Sequence, residues 1–342
     1  MKVCTFGEIM LRLSPPAYQR FLQAASFDVT FGGGEANVAV SLAHYGLDSY
    51  FVTKVPRHAI GQAAVNHLRR YGVRDDFIVR GGSRIGTYFL EIGAAQRPSS
   101  VIYDRAGSAV SLMRPDEMDW TEVFEGAHWF HWTGITPALG ATARACVLEA
   151  CRAARAAGAT VSCDLNFRKK LWTEQDAQAA MVPLMEHVDI CIANEEDAER
   201  CLGFKAARSD VEAAHLEEEA YADLAHALKE AFQFEAVAVT LRESFSASRN
   251  GWSALLLDDR ECVAPYRSRH YDIQVVDRVG GGDAFAAGLI YGLMMKPDTR
   301  QALEFAVAAS CLKHTIPGDF NLVAVAEVEN LMKGSGSGRV ER

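Results

Sequence analysis

The feature that most constrains this chain is a run of three glycines, Gly280 to Gly282, that leads directly into Asp283 and an apolar segment. The residues after Asp283, Ala-Phe-Ala-Ala-Gly-Leu-Ile, are typical of a buried helix. Glycines let the backbone turn so that successive N–H groups point into one concavity, and the helix adds its positive dipole end. Such a corner binds an anion, and a carboxylate beside it can take a proton from a hydroxyl that attacks a phosphate.

A second glycine-rich stretch, Gly32 to Asn37, lies near the N-terminus and opens a predicted helix. Taken alone, it would be a turn that caps this helix. Together with the later motif it favours sugar binding, because Gly33 and Gly34 let hydroxyl groups approach the backbone and Asn37 offers both a donor and an acceptor.

The stretch Asp277–Asp283, Asp-Arg-Val-Gly-Gly-Gly-Asp, resembles the Asp-Thr-x-Gly-Ala-Gly-Asp signature of the ribokinase-like (PfkB) carbohydrate kinases. The stretch from Gly32 to Ala39 resembles the other half of that family's pattern. Arg278 and Val279 stand where hydroxyl residues are common in the family, and Gly281 replaces the usual alanine. None of these departures affects the aspartate that ends the motif.

The resemblance implies a single ribokinase-like unit, a three-layer α/β/α domain with a mostly parallel central sheet and a small β-sheet lid. Alternating residues at 10–13 and 27–31 independently predict two half-buried strands of a small sheet, and 86–92 and 100–105 predict two more. Within residues 1–342 we expect lid strands at 10–31 and 85–108, an α/β core at 1–9, 32–84 and 109–332, and a flexible tail at 333–342.

Polar residues follow the predicted strand that begins at Thr160. Asp164, Asn166 and Arg168 lie at its carboxyl end, which is where open α/β sheets place ligands. Arg168 can clamp a carboxylate together with Arg105, reach a transferring phosphate, or form a salt bridge with a nearby acid. All three interpretations stay open from the residues alone.

Three lid residues, Tyr88, Tyr103 and Arg105, are candidate substrate contacts. By themselves they would be packed strand tyrosines and a solvated arginine. The stretch from Tyr103 to Ala109 resembles the 2-keto-3-deoxygluconate kinase branch of the family, which implies substrate contact for these residues and for the acid Asp319.

The resemblance also implies a nucleotide site formed by Asn166, Arg168, Asn194, Arg242, Ser244, Gly251, Gly280 and Gly282. The family uses Asn-x-x-Glu to organise Mg²⁺ and its waters, whereas this chain has Asn194 and, one methylene shorter, Asp197. The same two residues equally fit the capping of a helix, so both roles stay open. Asn250 and Gly251 are typical of a tight hairpin turn.

The formal net charge of −9 disfavours nucleic acid or an anionic membrane as the main partner, so an anionic substrate requires local arginines. Eight cysteines without a Cys-x-x-Cys pair favour reduced thiols in a cytoplasmic protein. No apolar run reaches membrane length, and the N-terminus is typical of a strand rather than a signal peptide. The acidic segment 206–219 predicts a surface helix or insertion.

We therefore expect an ATP-dependent kinase that phosphorylates the primary hydroxyl of a sugar acid, with 2-keto-3-deoxygluconate converted to its 6-phosphate. Asp283 would be the general base, and the N–H groups of Gly280, Gly281 and Gly282 would stabilise the transferring phosphoryl group. The expected cofactors are ATP and Mg²⁺, and a monovalent cation such as K⁺ near Asp277 stays open.

The choice of a sugar acid depends on Arg105 and Arg168, because a neutral sugar would leave both arginines without partners. Fructose, ribose and 5-dehydro-2-deoxygluconate remain alternative substrates. A non-catalytic nucleotide or sugar sensor is an alternative class, although a sensor needs no base at Asp283. Exposed lid edges predict a homo-oligomer formed through the lid.

Overall fold

The computed structural model describes residues 1–206, 218–259 and 264–334. The acidic segment, apart from its ends, and the tail from 335 onward therefore lie outside the described residues. The strands of the described part are β1 Lys2–Phe6, β2 Met10–Ser14, β3 Asp28–Gly32, β4 Asp48–Val55, β5 Ile78–Arg80, β6 Gly86–Glu91, β7 Ser100–Asp104, β8 Ala127–Thr133, β9 Thr160–Asp164, β10 Ile190–Ala193, β11 Ala236–Ser246, β12 Arg249–Asp258, β13 Tyr266–Arg267 and β14 Tyr271–Gln274.

The helices of the described ranges are α1 Gly34–His44, α2 Ala59–Arg70, α3 Trp120–Phe124, α4 Ile135–Ala138, α5 Ala141–Ala156, α6 Glu174–Met185, α7 Glu195–Leu202, α8 Glu218–Phe232, α9 Gly281–Met295, α10 Thr299–Lys313 and α11 Val325–Met332. None of them is both long and apolar enough to cross a membrane.

The central sheet has the strand order β13-β12-β11-β10-β9-β8-β1-β4-β5, with β14 also paired to β12. The strands from β11 to β5 along this order run parallel, and β12 to β14 add an antiparallel edge. The carboxyl ends of the parallel strands consequently meet at one edge of the sheet, and crossover helices cover its two faces.

Successive residues of each central strand pack into different cores because side chains alternate across a sheet. Trp129 contributes to the core formed with α1, α9, α10 and α11, whereas its neighbour Phe130 packs with α5, α6, α7 and α8. Ile192 and Cys191 divide in the same way. The three-layer arrangement with a mostly parallel sheet confirms the predicted fold class.

A separate four-stranded sheet, the lid, has the order β3-β2-β6-β7. Its central strands β2 and β6 pair in parallel, and each edge strand pairs antiparallel with its neighbour. Met10, Tyr88 and Leu90 pack together on its buried face. The small second sheet expected from the alternating segments is thus confirmed.

One local prediction was wrong. Asn250 and Gly251 are not a hairpin turn but part of β12, where they pair with Ser244 and Glu243 of β11. The hairpin reverses instead at residues 247–248, between the end of β11 and the start of β12. The Asn-Gly pair lies inside β12 because the ladder continues past it on both sides, through β11 and β14.

Candidate active site

A cleft of about 1440 Å³ lies between the lid and the carboxyl edge of the central sheet. Most of the residues predicted for the site line it, namely Gly33, Gly34, Asn37, Tyr88, Tyr103, Arg105, Asn166, Arg168, Asn194, Asp197, Arg242, Ser244, Gly280, Gly282, Asp283 and Asp319. Gly281 and Gly251 do not line the cleft. A Cβ atom on Gly251 would lie 2.6 Å from His270 Nε2 and 2.8 Å from Glu243 Oε2, so its position faces protein rather than the cleft.

Asp283 lies in the first turn of α9, where the helix dipole stabilises a negative charge. Its Oδ2 accepts a 2.6 Å hydrogen bond from the side-chain amide of Asn37, which lies in the first turns of α1. Burial nevertheless raises the pKa of Asp283 to about 6, and Asn37 and Arg168 act in the opposite direction. This carboxylate is therefore ionised at neutral pH and becomes a proton acceptor of useful strength.

The three glycines before Asp283 differ in their surroundings and in the space around them. Gly280 has a φ of 82° and a Cβ there would lie 2.0 Å from the Asp319 carbonyl oxygen, so no side chain fits. Gly281 faces the ring of His314, and its N–H donates to the Arg278 carbonyl at 3.3 Å. The predicted contribution of Gly281 to the anion site stays a prediction, and the bond to Arg278 makes its N–H less available to an anion. Gly282 opens onto free space, and the first-turn N–H groups of α9 have no intrahelical acceptor.

Arg12 on β2 is a residue that the sequence reasoning missed. Its guanidinium contacts Asp277 and Asp319, each at 2.6 Å, and all three side chains are nearly fully buried. Tyr88 on β6 donates to the second oxygen of Asp319 at 2.5 Å. The sequence could have indicated this residue, because the side chains of β2 alternate between buried and half-buried and Arg12 takes a buried position. This buried group joins two lid strands to the loops on either side of the site.

The two predicted substrate arginines differ in their surroundings. Arg105 is buried and forms an ion pair with Glu8, to which its Nε donates at 2.8 Å. The argument that Arg105 lacks a partner without a sugar acid was therefore wrong. Arg168 is half-buried, and no carboxylate of the described residues lies within ion-pair distance of it, although it lowers the pKa of Asp164 and of Asp283. Arg168 is thus the arginine available to an anionic ligand.

Two further carboxylates, Asp164 and Asp197, lie close together at the ends of β9 and α7. Burial raises the pKa of Asp164 well above its usual range, and the neighbouring Asp197 and Asp283 raise it further. Burial also raises the pKa of Asp197 to about 6. Asp197 accepts from the Phe167 amide at 3.0 Å and from the Asn194 side-chain amide at 2.9 Å. The Asn194 side-chain oxygen accepts from the Asp197 N–H at 2.8 Å, so Asn194 does cap α7. A cation in the cleft would relieve the repulsion among these acids.

Asn166 follows β9 with a φ of 41°, in the left-handed region that most residues avoid. This conformation accompanies its position on the cleft wall, two residues from Asp164 and from Arg168. Arg242 and Ser244 are exposed at the far end of the same edge, on β11. Lys169 and Lys170, which were not singled out from the sequence, add two more cations to this wall.

Glu35 is a second group missed from the sequence. Its Oε1 accepts hydrogen bonds from the Thr133 N–H, the Thr133 hydroxyl and the Thr136 hydroxyl at 3.0, 2.9 and 2.6 Å. Burial raises the pKa of this carboxyl group to about 7. It therefore anchors the first glycine-rich turn to the carboxyl end of β8 rather than facing a ligand.

Comparison with known proteins gives consistent matches over nearly the whole chain. The model of the pfkB family of carbohydrate kinases matches residues 1–321. The 2-dehydro-3-deoxygalactonokinase of Haloferax volcanii is 35% identical over 337 residues, which cover 98% of both chains. The 2-dehydro-3-deoxygluconokinase of Bacillus subtilis is 28% identical over 319 residues, covering 93% of this chain and 90% of that protein.

A solved structure is more similar still. The crystal structure of the 2-dehydro-3-deoxygluconokinase from Thermotoga maritima has a TM-score of 0.93 and 53% sequence identity, and the match covers 98% of this chain and 100% of that one.

The buried group around Arg12 generates a prediction about stability. Replacing Arg12 with methionine leaves Asp277 and Asp319 buried without their cation, so we expect the free energy of unfolding to fall by about 3–5 kcal/mol. Urea denaturation followed by circular dichroism measures this change. The matched control is Arg74→Met, which removes an ion pair with Asp48 in which both side chains are exposed, and we expect no measurable change there. Equal effects of the two substitutions would contradict the prediction.

Proposed function

The chain belongs to the pfkB family of carbohydrate kinases, and we propose that it transfers the γ-phosphoryl group of ATP to the primary hydroxyl of a 2-keto-3-deoxy sugar acid. The observation that carries this proposal is the position of Asp283, a half-buried carboxylate on the cleft at the N-terminus of α9. A base, an anion-binding helix end and an adjoining cleft are the parts that phosphoryl transfer to an alcohol requires.

In the proposed reaction Asp283 accepts the proton of the primary hydroxyl while the oxygen forms its bond to the γ-phosphorus. The bond from that phosphorus to the bridging oxygen breaks, and ADP leaves with the electron pair. Asn37 orients the carboxylate of Asp283, since its amide donates to Oδ2. The N–H groups at the start of α9, with Gly282 among them, stabilise the negative charge that spreads over the phosphoryl oxygens. Closure of the lid would exclude water from the cleft.

We propose that the nucleotide lies along the carboxyl edge of the sheet, against Asn166, Asn194, Arg242 and Ser244. Mg²⁺ fits the same region, because the raised pKa values of Asp164 and Asp197 reflect a local excess of buried carboxylate. Asp197 would act on it through water, since both of its oxygens already accept hydrogen bonds. When bound, Mg²⁺ would neutralise part of the negative charge of the phosphates.

The substrate proposal is 2-keto-3-deoxygluconate. It is supported by Arg168, which is free of ion pairs among the described residues, by Lys169 and Lys170 on the same wall, and by the similarity to the Thermotoga maritima enzyme. The galactonate epimer is a second candidate, because a 2-dehydro-3-deoxygalactonokinase is 35% identical over 337 residues. The two acids differ only in the configuration of one carbon, so Arg168 does not discriminate between them.

We propose no free monovalent cation beside Asp277, because the buried ammonium group of Lys313 donates to the carbonyl oxygen of Asp277. A cytoplasmic location stays a prediction. It agrees with the unpaired thiols of the seven described cysteines.

The role of the base can be tested by substitution. Asp283→Asn keeps the shape of the side chain but removes the proton acceptor, so we expect kcat to fall by about 10²–10⁴-fold while ATP binding persists. Coupled ADP release and calorimetric titration with ATP measure the two quantities. Asp116→Asn, which changes an exposed carboxylate remote from the cleft, is the control and should retain wild-type kcat.

The pH profile provides an independent readout of the same base. Because the pKa of Asp283 is raised to about 6, kcat/KM should be constant at neutral pH and decline as the pH falls through about 6. Asn37→Ala removes a group that lowers this pKa, so the acidic limb should shift to higher pH. An Asp283→Asn enzyme with near-normal turnover, or an unchanged limb in Asn37→Ala, would rule out this role.

A further prediction concerns substrate specificity. Turnover should be most efficient with 2-keto-3-deoxygluconate or its galactonate epimer, and lower with fructose and ribose. If Arg168 contacts the carboxylate of the substrate, Arg168→Met should lower kcat/KM about tenfold or more for the acids only, as expected for a charge-assisted hydrogen bond. An equal loss on neutral sugars would assign Arg168 to the phosphates. Exposed Arg152, changed to methionine, is the control, and preference of the wild-type protein for a neutral sugar would overturn the substrate proposal.

The last prediction of this section concerns assembly. Val29 on β3 and Ile102 on β7, which are 61 and 53% exposed, lie in one apolar row across the lid through Leu13 and Phe89. We propose that a second copy of the chain pairs through this lid surface. Light scattering should show a dimer or larger assembly that dissociates in Val29→Lys but not in the control Val182→Lys on α6. A monomeric wild-type protein would contradict the proposal.

A further inference from the structure

We infer that the ammonium group of Lys313 is a tethered monovalent cation that fixes the anion-binding loop, residues 277–282, so that phosphoryl transfer needs no free monovalent cation. Lys313 is a positioning residue, because it does not line the cleft. The inference rests on the proposed function and deepens it.

Lys313 ends α10 and has no exposed surface. Its Nζ donates to the carbonyl oxygens of Asp277 and Ile316, at 3.4 and 3.2 Å. No carboxylate of the described ranges forms an ion pair with it, although Asp277, Asp319 and Asp283 all raise its pKa from a distance. A cation bound by main-chain carbonyl oxygens in a dry site resembles a coordinated alkali ion more than a salt bridge.

The cost of this arrangement argues against a purely structural role. Lysine is almost never fully buried without a paired charge, and taking an ammonium group out of water costs several kcal/mol. Burial accordingly lowers the pKa of Lys313 from its usual value. A methionine would fill the same space without this penalty. Packing therefore does not explain why this buried position carries a charged ammonium group.

The position of the charge supplies that explanation. The Asp277 carbonyl begins the loop that carries Gly280, and the Cβ of an alanine at 280 would lie 3.2 Å from Lys313 Cε. The same loop is attached to α10 by the Ser310 hydroxyl, which donates to the Gly281 carbonyl at 2.7 Å. On its other side, Arg12 neutralises the Asp277 carboxylate. Lys313 therefore fixes the carbonyl side of the loop and adds positive charge behind the amides that face the phosphate.

The test compares wild-type protein, Lys313→Met and Lys313→Ala in buffers whose only monovalent cation is tetramethylammonium, followed by addition of K⁺ or NH₄⁺. We expect the wild-type kcat to be unchanged by either ion. In Lys313→Met, kcat should fall about tenfold while KM for the sugar acid changes little. Loss of a hydrogen-bond donor that contacts the phosphoryl group directly would cost more, about 10²–10³-fold in kcat. In Lys313→Ala, K⁺ or NH₄⁺ should enter the vacated space and restore kcat, whereas tetramethylammonium is too large.

Lys296→Met is the matched control, because Lys296 also follows a long helix but forms an ion pair with Glu329 away from the loop. It should show neither the loss nor the restoration. A wild-type enzyme that requires K⁺, a Lys313→Met enzyme with normal kcat, or a Lys313→Ala enzyme indifferent to K⁺ and NH₄⁺ would each overturn the inference. Failure of both variants to fold in every salt would assign Lys313 to the core alone and overturn it as well.

The unfolding temperature of Lys313→Ala without substrate separates this inference from the proposed function. It should rise with K⁺ and NH₄⁺ but not with tetramethylammonium. If the wild-type protein phosphorylated no sugar acid, the proposed function would fail, and this measurement would still decide whether a cation occupies the site of the Lys313 ammonium group.

Discussion

The site depends on one guanidinium group shared by two carboxylates. Arg12 comes from the lid, whereas Asp277 and Asp319 flank the loop and helix that carry Asp283. Each carboxylate would be costly to bury alone, and so would the arginine, so the three groups are stable only when lid and core are correctly joined. Tyr88 extends the same network through its hydroxyl group. The shape of the cleft therefore depends on how the lid docks. This docking relies on charged contacts, because the lid contributes little to the apolar core.

The sequence predicted the architecture well because the relevant signals are local. Alternation gave the lid strands, and the glycine-rich motifs marked the turns that begin α1 and α9. The positions of Asn37 and Asp283 on the cleft also followed, since both stand in the first turns of those helices. The bond between them, from Asn37 to Asp283, required the packing of α1 against α9 and could not be obtained from either motif alone.

Partners far apart in the chain were the part that the sequence could not predict. Arg105 was predicted to contact the substrate from the family resemblance around it, and its ion pair with Glu8, 97 positions away, was not foreseen. Asn250 and Gly251 have the composition of a turn, but pairing with β11 and β14 overrides that local preference. Gly281 was given the role of its neighbours, although α10 brings His314 against it. In each case a tertiary contact that the local sequence does not reveal determines the surroundings of the residue.

The order of the lid strands has a consequence for the route by which the protein folds. β2 pairs with β6, so α1, β4 and α2 must be synthesised before the lid can form. Arg12 meets Asp319 across 307 positions, which means that a growing chain on the ribosome carries an unpaired arginine until its last portion emerges. Contacts of such long range slow folding. Completion of the lid is thereby a late event of biogenesis, and an incomplete chain would not form a closed catalytic chamber.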